Sequence, residues 1–378
     1  MRLVIKLGTS LLTNEHGKLT VPFLRGVVAQ AAAIHKSGHE VVVVSSGAVA
    51  AGRSEITLER EKKNIPYRQA LAAVGQGVLM KTYHDFFGEH GVVVSQALLT
   101  NYDFVNRENF LNTKNVFDLM LKAGVIPIVN ENDVTTIAEL KFGDNDVLSA
   151  KTAAMVSADL LVIMTDVDGL FLEDPKNNPG AKLFSVVEKV DDSIRALAGG
   201  ARSSRSMGGM VTKLEAADYV TSVGIPMFIV NGRRANILQD VVEFFRKSMS
   251  EKTHQQEQKL GTIFIPRVNR MESQKKWLRP KIQKAAWVEV DSGAAKALTS
   301  SGKSLLPSGI SAVHGTFKRG DVVLVKTNEG AEIAYGQVNY GSVELDKIKK
   351  HRSDEIEQLL GFSFEEEVIH RDRMALTA

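Results

Sequence analysis

Two rhythms of apolar and polar residues alternate along the first two thirds of the chain. Short apolar runs, Arg2 to Leu7, Glu40 to Val44, Val125 to Val129, Leu160 to Met164 and Pro226 to Val230, have the composition of strands buried on both faces of a parallel sheet. Val92 to Ser95 reads as a further short strand, and Gly261 to Phe264 as a strand added at the sheet's edge. Between them lie segments with helical spacing: Pro22 to Lys36, Pro66 to Phe87, Glu108 to Leu121 and Ile237 to Phe245. Pro22 suits a first helical turn, where its missing N–H costs nothing. Two more helices are announced by their starts. One follows Gly143-Asp144-Asn145-Asp146 through Val147, Leu148, Ala150, Ala153, Ala154 and Val156; the other follows Gly208-Gly209 through Leu214 to Tyr219. Alternating strands and helices predict an α/β domain with a mostly parallel sheet.

After about residue 280 the rhythm changes. Short strands at Trp287 to Val290, Val322 to Val325 and Ile333 to Val338 are separated by turns such as Lys318-Arg319-Gly320-Asp321 and Asn328-Glu329-Gly330. This pattern predicts a small β-barrel, with one short helix around Ser353 to Leu360. The expected division is an α/β domain over 1–250, a basic linker and edge segment over 251–280, a β domain over 281–365 and a tail over 366–378.

Ligands of parallel sheets gather at the carboxyl ends of the strands, and here those ends are polar. The first strand carries Lys6 and runs into Gly8-Thr9-Ser10; the second runs into Ser45-Ser46-Gly47 and small helix-forming residues. Such a junction presents N–H groups to an anion or simply makes a tight turn; spacing alone leaves both open. Asn130-Glu131-Asn132-Asp133 and Thr165-Asp166 end two further strands, and the former is costly to gather without a ligand or mutual bonds. Glycines before Lys213 would let phosphates approach the backbone, with the lysine one turn inside the helix. Asp144 and Asp146 are compatible with a plain helix start as well as with a site.

Composition narrows the classes. Hydrophobic residues make up 44% and charged residues 24% of the chain, as in ordinary globular enzymes, and no apolar run approaches the ~18 residues of a membrane span. Met1 opens directly onto a strand, so a cytoplasmic location and no export or membrane association are expected. The absence of cysteine excludes disulfides, thiolate catalysis and Cys-bearing zinc sites. A net charge of +3 does not mark a nucleic-acid binder. From Arg246 to Pro280 nine Lys or Arg stand against three Glu, which makes that stretch a solvated linker or a binding surface; from Lys281 onward thirteen basic residues meet fourteen acidic ones. No G-x-x-x-x-G-K-[ST] occurs, no G-x-G-x-x-G follows the first strand, and His370-Arg371-Asp372 lacks the rest of a protein-kinase set. The aspartates around Asp166 to Asp168 lack the spacing and terminal Glu of an EF-hand loop.

What remains converges on phosphoryl transfer, which asks a protein for alignment and charge neutralisation more than for covalent chemistry. Lys6 and Lys213, far apart in sequence, supply positive charge, and Asp146 is placed to hold both. Taken in order, Lys6-Leu-Gly-Thr-Ser, Ser46-Gly-Ala, Asn130-Glu-Asn-Asp, Gly143-Asp-Asn-Asp, Thr165-Asp and Gly208-Gly-Met-x-x-Lys213 resemble the amino-acid kinase family. The likeness is narrowest to its glutamate-phosphorylating branch, and the tail looks like the PUA domain that many of those kinases carry. The resemblance implies an αβα sandwich followed by a small PUA-like β-barrel. It implies that Lys6 and Lys213 contact the transferring phosphate, that Asp146 organises them, and that Ser46, Asp133 and Asn145 bind glutamate. By the same likeness Lys6, Thr165, Asp166, Met207, Gly208, Gly209, Met210, Val211, Thr212 and Lys213 form the ATP site.

The implied reaction is attack of the L-glutamate side-chain carboxylate on the γ-phosphate of ATP, giving glutamyl 5-phosphate and ADP as the first step of proline synthesis. Mg2+ would be carried on the nucleotide phosphates. The carboxylate is ionised at neutral pH and needs no general base. Proline as feedback inhibitor, glutamyl phosphate reductase as downstream partner and a homo-oligomer are implied with it. The chain departs at Met207, where similar sequences commonly carry Thr, which leaves that contact to the backbone. Two alternatives stand beside this reading: a kinase of the same family with another carboxylate acceptor, and an RNA-binding PUA protein with a vestigial kinase domain. The near-neutral tail speaks against RNA, since phosphate contacts need clustered Lys and Arg.

Overall fold

The computed structural model describes residues 1–56, 65–136, 145–173, 178, 180–199, 209–251, 259–266 and 282–377. These fall into two compact units, Met1–Val105 with Thr113–Arg267, and Asn106–Asn112 with Val268–Ala378. Most of the expected linker over 251–280 lies outside the described residues.

The first unit is built on β1 (Arg2–Leu7), β2 (Glu40–Val44), β3 (Val94–Leu99), β4 (Ile126–Glu131), β5 (Leu160–Thr165), β6 (Val186–Val187), β7 (Met227–Asn231) and β8 (Gly261–Phe264). Their order is β3-β4-β2-β1-β5-β7-β8-β6. All neighbours from β3 to β7 are parallel; β8 turns antiparallel to β7, and β6 runs beside β8. Thus Gly261 to Phe264 is not the edge: the two-residue β6 lies outside it, too short to show in an apolar pattern. Another correction concerns β3, which starts at Val94. Val92 instead closes the preceding helix, its N–H donating to the Phe87 carbonyl at 3.0 Å.

Side-chain alternation along β1 decides where its lysine goes. Leu3, Ile5 and Leu7 enter a core shared with α2 (Val21–Lys36), α4 (Ile65–Gly88) and α10 (Ile237–Glu251). Lys6 therefore faces the opposite layer, where α7 (Asn145–Met155) packs on β1 and β5 beside α9 (Met210–Ser222). The result is a sheet with helices on both faces, an αβα sandwich.

One helix crossing sets the position of the loop after β2. Gly47, at φ 101°, occupies the left-handed region and precedes α3 (Ala48–Glu55). That helix meets α4 backbone to backbone: a Cβ on Gly75 would lie 1.8 Å from the Ala48 carbonyl oxygen and 2.2 Å from the Gly52 nitrogen. Neither atom is a side-chain end that can swing away. Gly75→Ala is expected to cost about 3 kcal/mol or more of stability by forcing the helices apart, read as a lowered urea midpoint; unchanged stability would mean the crossing opens freely.

The second unit holds a five-stranded sheet of β9 (Ile282–Val290), β10 (Ile310–His314), β11 (Val322–Thr327), β12 (Glu332–Gln337) and β13 (Met374–Leu376), in the order β10-β9-β11-β12-β13. Its core includes Val288, Val290, Phe317, Val323, Val325, Tyr340, Val368 and Ile369. The expected end of the β domain at residue 365 is too early, because Val368 and Ile369 are fully buried and β13 pairs with β12. Helices at Ser292–Ser301 and Ser342–Ile348 join the expected one near Ile356–Leu360. The first carried a legible start and stop, Asp291 accepting from the Ala294 N–H at 2.7 Å and Gly302 in the left-handed region after it.

Candidate active site

Lys6, Asp146 and Lys213, 207 positions apart at the extremes, meet at one carboxylate. Lys6 arrives from the carboxyl end of β1, Asp146 from the first turn of α7 and Lys213 from the first turn of α9. Lys6 Nζ lies 2.5 Å from Asp146 Oδ1, and Lys213 Nζ lies 3.1 Å from Oδ2. The Thr212 hydroxyl is 2.9 Å from Oδ2 and equally close to the Gly209 carbonyl. All three charged residues are buried, Asp146 completely. Burial alone would raise the Asp146 carboxyl, but the two ammonium groups outweigh it and hold it below the ordinary carboxylate range. Two ammonium groups gathered on one buried carboxylate are an arrangement suited to an arriving phosphoryl group.

A second cluster surrounds Asn145, the residue just before Asp146. Asn145 Nδ2 has three acceptors within reach, the Ser45 carbonyl at 2.6 Å, Asn130 Oδ1 at 2.9 Å and Ser46 Oγ at 3.0 Å. Asn130 sits near the end of β4, and its Nδ2 donates to Gln76 Oε1 at 3.0 Å. Ser45 Oγ donates to the Ser46 carbonyl at 2.9 Å and is 2.7 Å from the Tyr83 hydroxyl. Burial pushes the Tyr83 phenol well above its ordinary range, the Ser45 bond pulling weakly the other way, so it stays a neutral donor. The polar strand end thus satisfies itself in part by internal bonds.

A third group closes the ends of β1, β5 and β7. Gly8 N–H donates to the Met164 carbonyl at 3.0 Å and Gly232 N–H to the Thr165 carbonyl at 2.8 Å. Asp166 Oδ1 accepts from Ser10 Oγ at 3.0 Å and from Thr165 Oγ1 at 3.2 Å.

The structure therefore brings Lys6, Asp146, Thr212 and Lys213 together, and Ser46 with Asn145. Thr165 and Asp166 adjoin one another at the end of β5, and Gly209, Met210 and Val211 form the start of α9, with Val211 exposed. Asp133 stands in the turn after β4, its carbonyl accepting from Gln69 Nε2 at 2.8 Å. Met207 and Gly208 lie outside the described residues, as do Gly143, Asp144 and Ala201 to Ser206. Reading strand ends alone passes over Gln76 and Tyr83. Their signal was present: both occupy the buried stripe Ala72, Gln76, Leu79, Tyr83 of α4, where a polar side chain needs a partner.

Residues 1–231 match the model of the amino acid kinase family, and residues 286–360 match that of the PUA domain. A glutamate 5-kinase of Caldanaerobacter subterraneus subsp. tengcongensis is 44% identical over 376 residues, covering 100% of this chain and 98% of that one. One from Moorella thermoacetica is 41% identical over 375 residues, covering 99% and 95%. Among solved structures, the isopentenyl phosphate kinase of T. acidophilum in its product complex covers 70% of this chain and 100% of its own, with a TM-score of 0.47 and 18% identity. With a family match over most of the chain and relatives aligned from end to end, the chain belongs to the amino acid kinase family and carries a PUA domain after its kinase fold.

Proposed function

We propose that the chain transfers the γ-phosphoryl group of ATP to the side-chain carboxylate of L-glutamate, giving L-glutamyl 5-phosphate and ADP. The observation that carries this reading is the buried carboxylate of Asp146 holding Lys6 and Lys213 at the ends of β1 and α9. Relatives called glutamate 5-kinase, aligned over essentially their whole length, support the choice of acceptor. Lys6 and Lys213 stabilise the negative charge that spreads over the phosphoryl oxygens as it moves, and Asp146 keeps both ammonium groups aimed. Ser46, Asn145 and Asp133 hold the amino acid so that its distal carboxylate lies in line with the phosphorus. Thr165, Asp166 and the Met207 to Lys213 segment take the nucleotide. The acceptor is already an anion, so no proton has to be removed before attack.

Among the described residues no three His, Asp or Glu side chains are grouped as a metal site. Magnesium would be carried on the nucleotide's own phosphates and would supply further charge neutralisation there. Inhibition by proline, a reductase acting on the labile product and a homo-oligomer belong to the same proposal. An oligomer is supported by the edge strand β3, with Val93 exposed just before it, and by the helices after it, where Tyr102, Val105, Val116 and Leu119 are exposed. Among the described residues no helix is long and apolar enough to cross a membrane. An RNA-binding role is not favoured, since the charged groups of the kinase fold are assembled and the full-length relatives are kinases.

The test is ATP-dependent trapping of an acyl phosphate with hydroxylamine, comparing glutamate, aspartate and N-acetylglutamate, with and without proline. A hydroxamate from glutamate, suppressed by proline, is expected. Turnover of N-acetylglutamate alone would overturn the assignment of the acceptor.

A further inference from the structure

The hydrogen bonds around Asn145 have a direction that can be followed atom by atom. Glu131 N–H donates to Asn130 Oδ1 at 2.9 Å, and a backbone N–H can only donate, so the two ends of the Asn130 amide are distinguished. Asn130 Oδ1 also accepts from Asn145 Nδ2, while Asn130 Nδ2 donates to Gln76 Oε1. Asn145 Nδ2 thereby turns its two protons to the inner acceptors Asn130 Oδ1, the Ser45 carbonyl and Ser46 Oγ, one proton being shared between two of them. Two consequences follow for a ligand. Asn145 Oδ1 is the amide atom left to accept a hydrogen bond, and Ser46 Oγ, accepting from Asn145, keeps its own proton to donate. An acceptor and a hydroxyl donor side by side match the ammonium and carboxylate groups of one α-carbon.

Gln76 pays for its place in this chain. It is 8% exposed, on the core stripe of α4, and its Nε2 is buried with no partner among the described residues. A buried donor without an acceptor carries a desolvation penalty that a methionine at the same place would not. What the glutamine supplies instead is an acceptor for Asn130 Nδ2. We propose that Gln76 is a positioning residue for acceptor recognition: it holds the Asn130 amide in the orientation that turns Asn145 Oδ1 and the Ser46 hydroxyl toward an α-amino acid. This rests on the assignment of Ser46 and Asn145 to acceptor binding made above.

Gln76→Met keeps the side-chain length and removes the acceptor, leaving Asn130 Nδ2 as a buried donor that must tilt to find a partner. KM for glutamate is expected to rise about tenfold or more, the equivalent of one such bond, with KM for ATP held within about twofold. Gln76→Glu keeps an acceptor facing Asn130 and is expected to recover most of the loss. The kinetics are run on whichever acceptor the wild-type protein phosphorylates. A different free amino acid would overturn the glutamate assignment and leave the Gln76 prediction to be decided on that acceptor. Turnover confined to acceptors without a free ammonium group would overturn the proposal itself. So would an unchanged acceptor KM in Gln76→Met, a parallel rise of both KM values, or a Gln76→Glu protein no better than Gln76→Met. Should Gln76→Met not fold, Gln76→Glu decides alone: an acceptor KM within about threefold of wild type upholds the proposal and a tenfold rise ends it.

Discussion

Asp146→Asn is expected to lower stability by about 3–5 kcal/mol and turnover by about 10³-fold, the largest combined effect of any single change in the site. The carboxylate is completely buried and meets Lys6 on one oxygen and Lys213 on the other. Replacing it with a neutral amide takes away the buried charge that both ammonium groups meet. The loss of stability is expected to depend on pH in a definite direction. Because the native carboxyl lies below its ordinary range, the unfolded chain binds more protons in the window between the two values, and stability there rises with pH. The contribution is complete above the unfolded value of about 3.9 and is lost as pH falls through the lower native value. Urea unfolding of wild type and variant between neutral and acid pH reads this directly. The gap between them should be widest near neutrality and close on acidification; a gap that ignores pH would mean that the carboxylate charge does not hold the lysines.

Lys213→Ala is expected to lower kcat by about 10³-fold, roughly 4 kcal/mol of transition-state stabilisation, while disturbing folding far less. The asymmetry comes from the partner left behind. With Lys213 gone, Asp146 still has Lys6 at 2.5 Å and the Thr212 hydroxyl at 2.9 Å, so the buried anion remains compensated. What disappears is the second positive charge on the moving phosphoryl group, which matters most when its negative charge spreads over three oxygens. Rates of hydroxamate formation at saturating ATP and glutamate, set beside a thermal melt, separate the two effects. Normal turnover by a folded Lys213→Ala protein would remove the lysine from the chemistry.

The order of strands and helices in the kinase fold was legible in the sequence because a parallel strand buried on both faces is a continuous apolar run, bounded by glycine and polar residues. Glu40–Val44 matched residue for residue, and the helices at Val21–Lys36, Ile65–Gly88 and Arg107–Lys122 differ from their expected bounds by no more than one residue at each end. Elements of two or three residues, such as Val186–Val187 and Met374–Leu376, carry no pattern of their own and exist only because a neighbouring strand offers a free edge. The residue types of the site could also be read locally, since lysine, aspartate and asparagine beside glycines at strand ends and helix starts are out of place in a core. Their mutual geometry could not. That Lys6 faces α7 rather than α2 follows from the alternation of β1 once the layers are stacked, and that one carboxylate serves both lysines depends on β1, α7 and α9 converging. Gln76 and Tyr83 became part of the site only through the contact of α3 with α4 at Gly75, which sets α4 against the ends of β2 and β4. A hydrogen bond between residues 54 positions apart is specified by the whole packing and by no segment of the chain, so the sequence by itself determined the fold class and the chemistry's ingredients, and tertiary structure decided which atoms face one another.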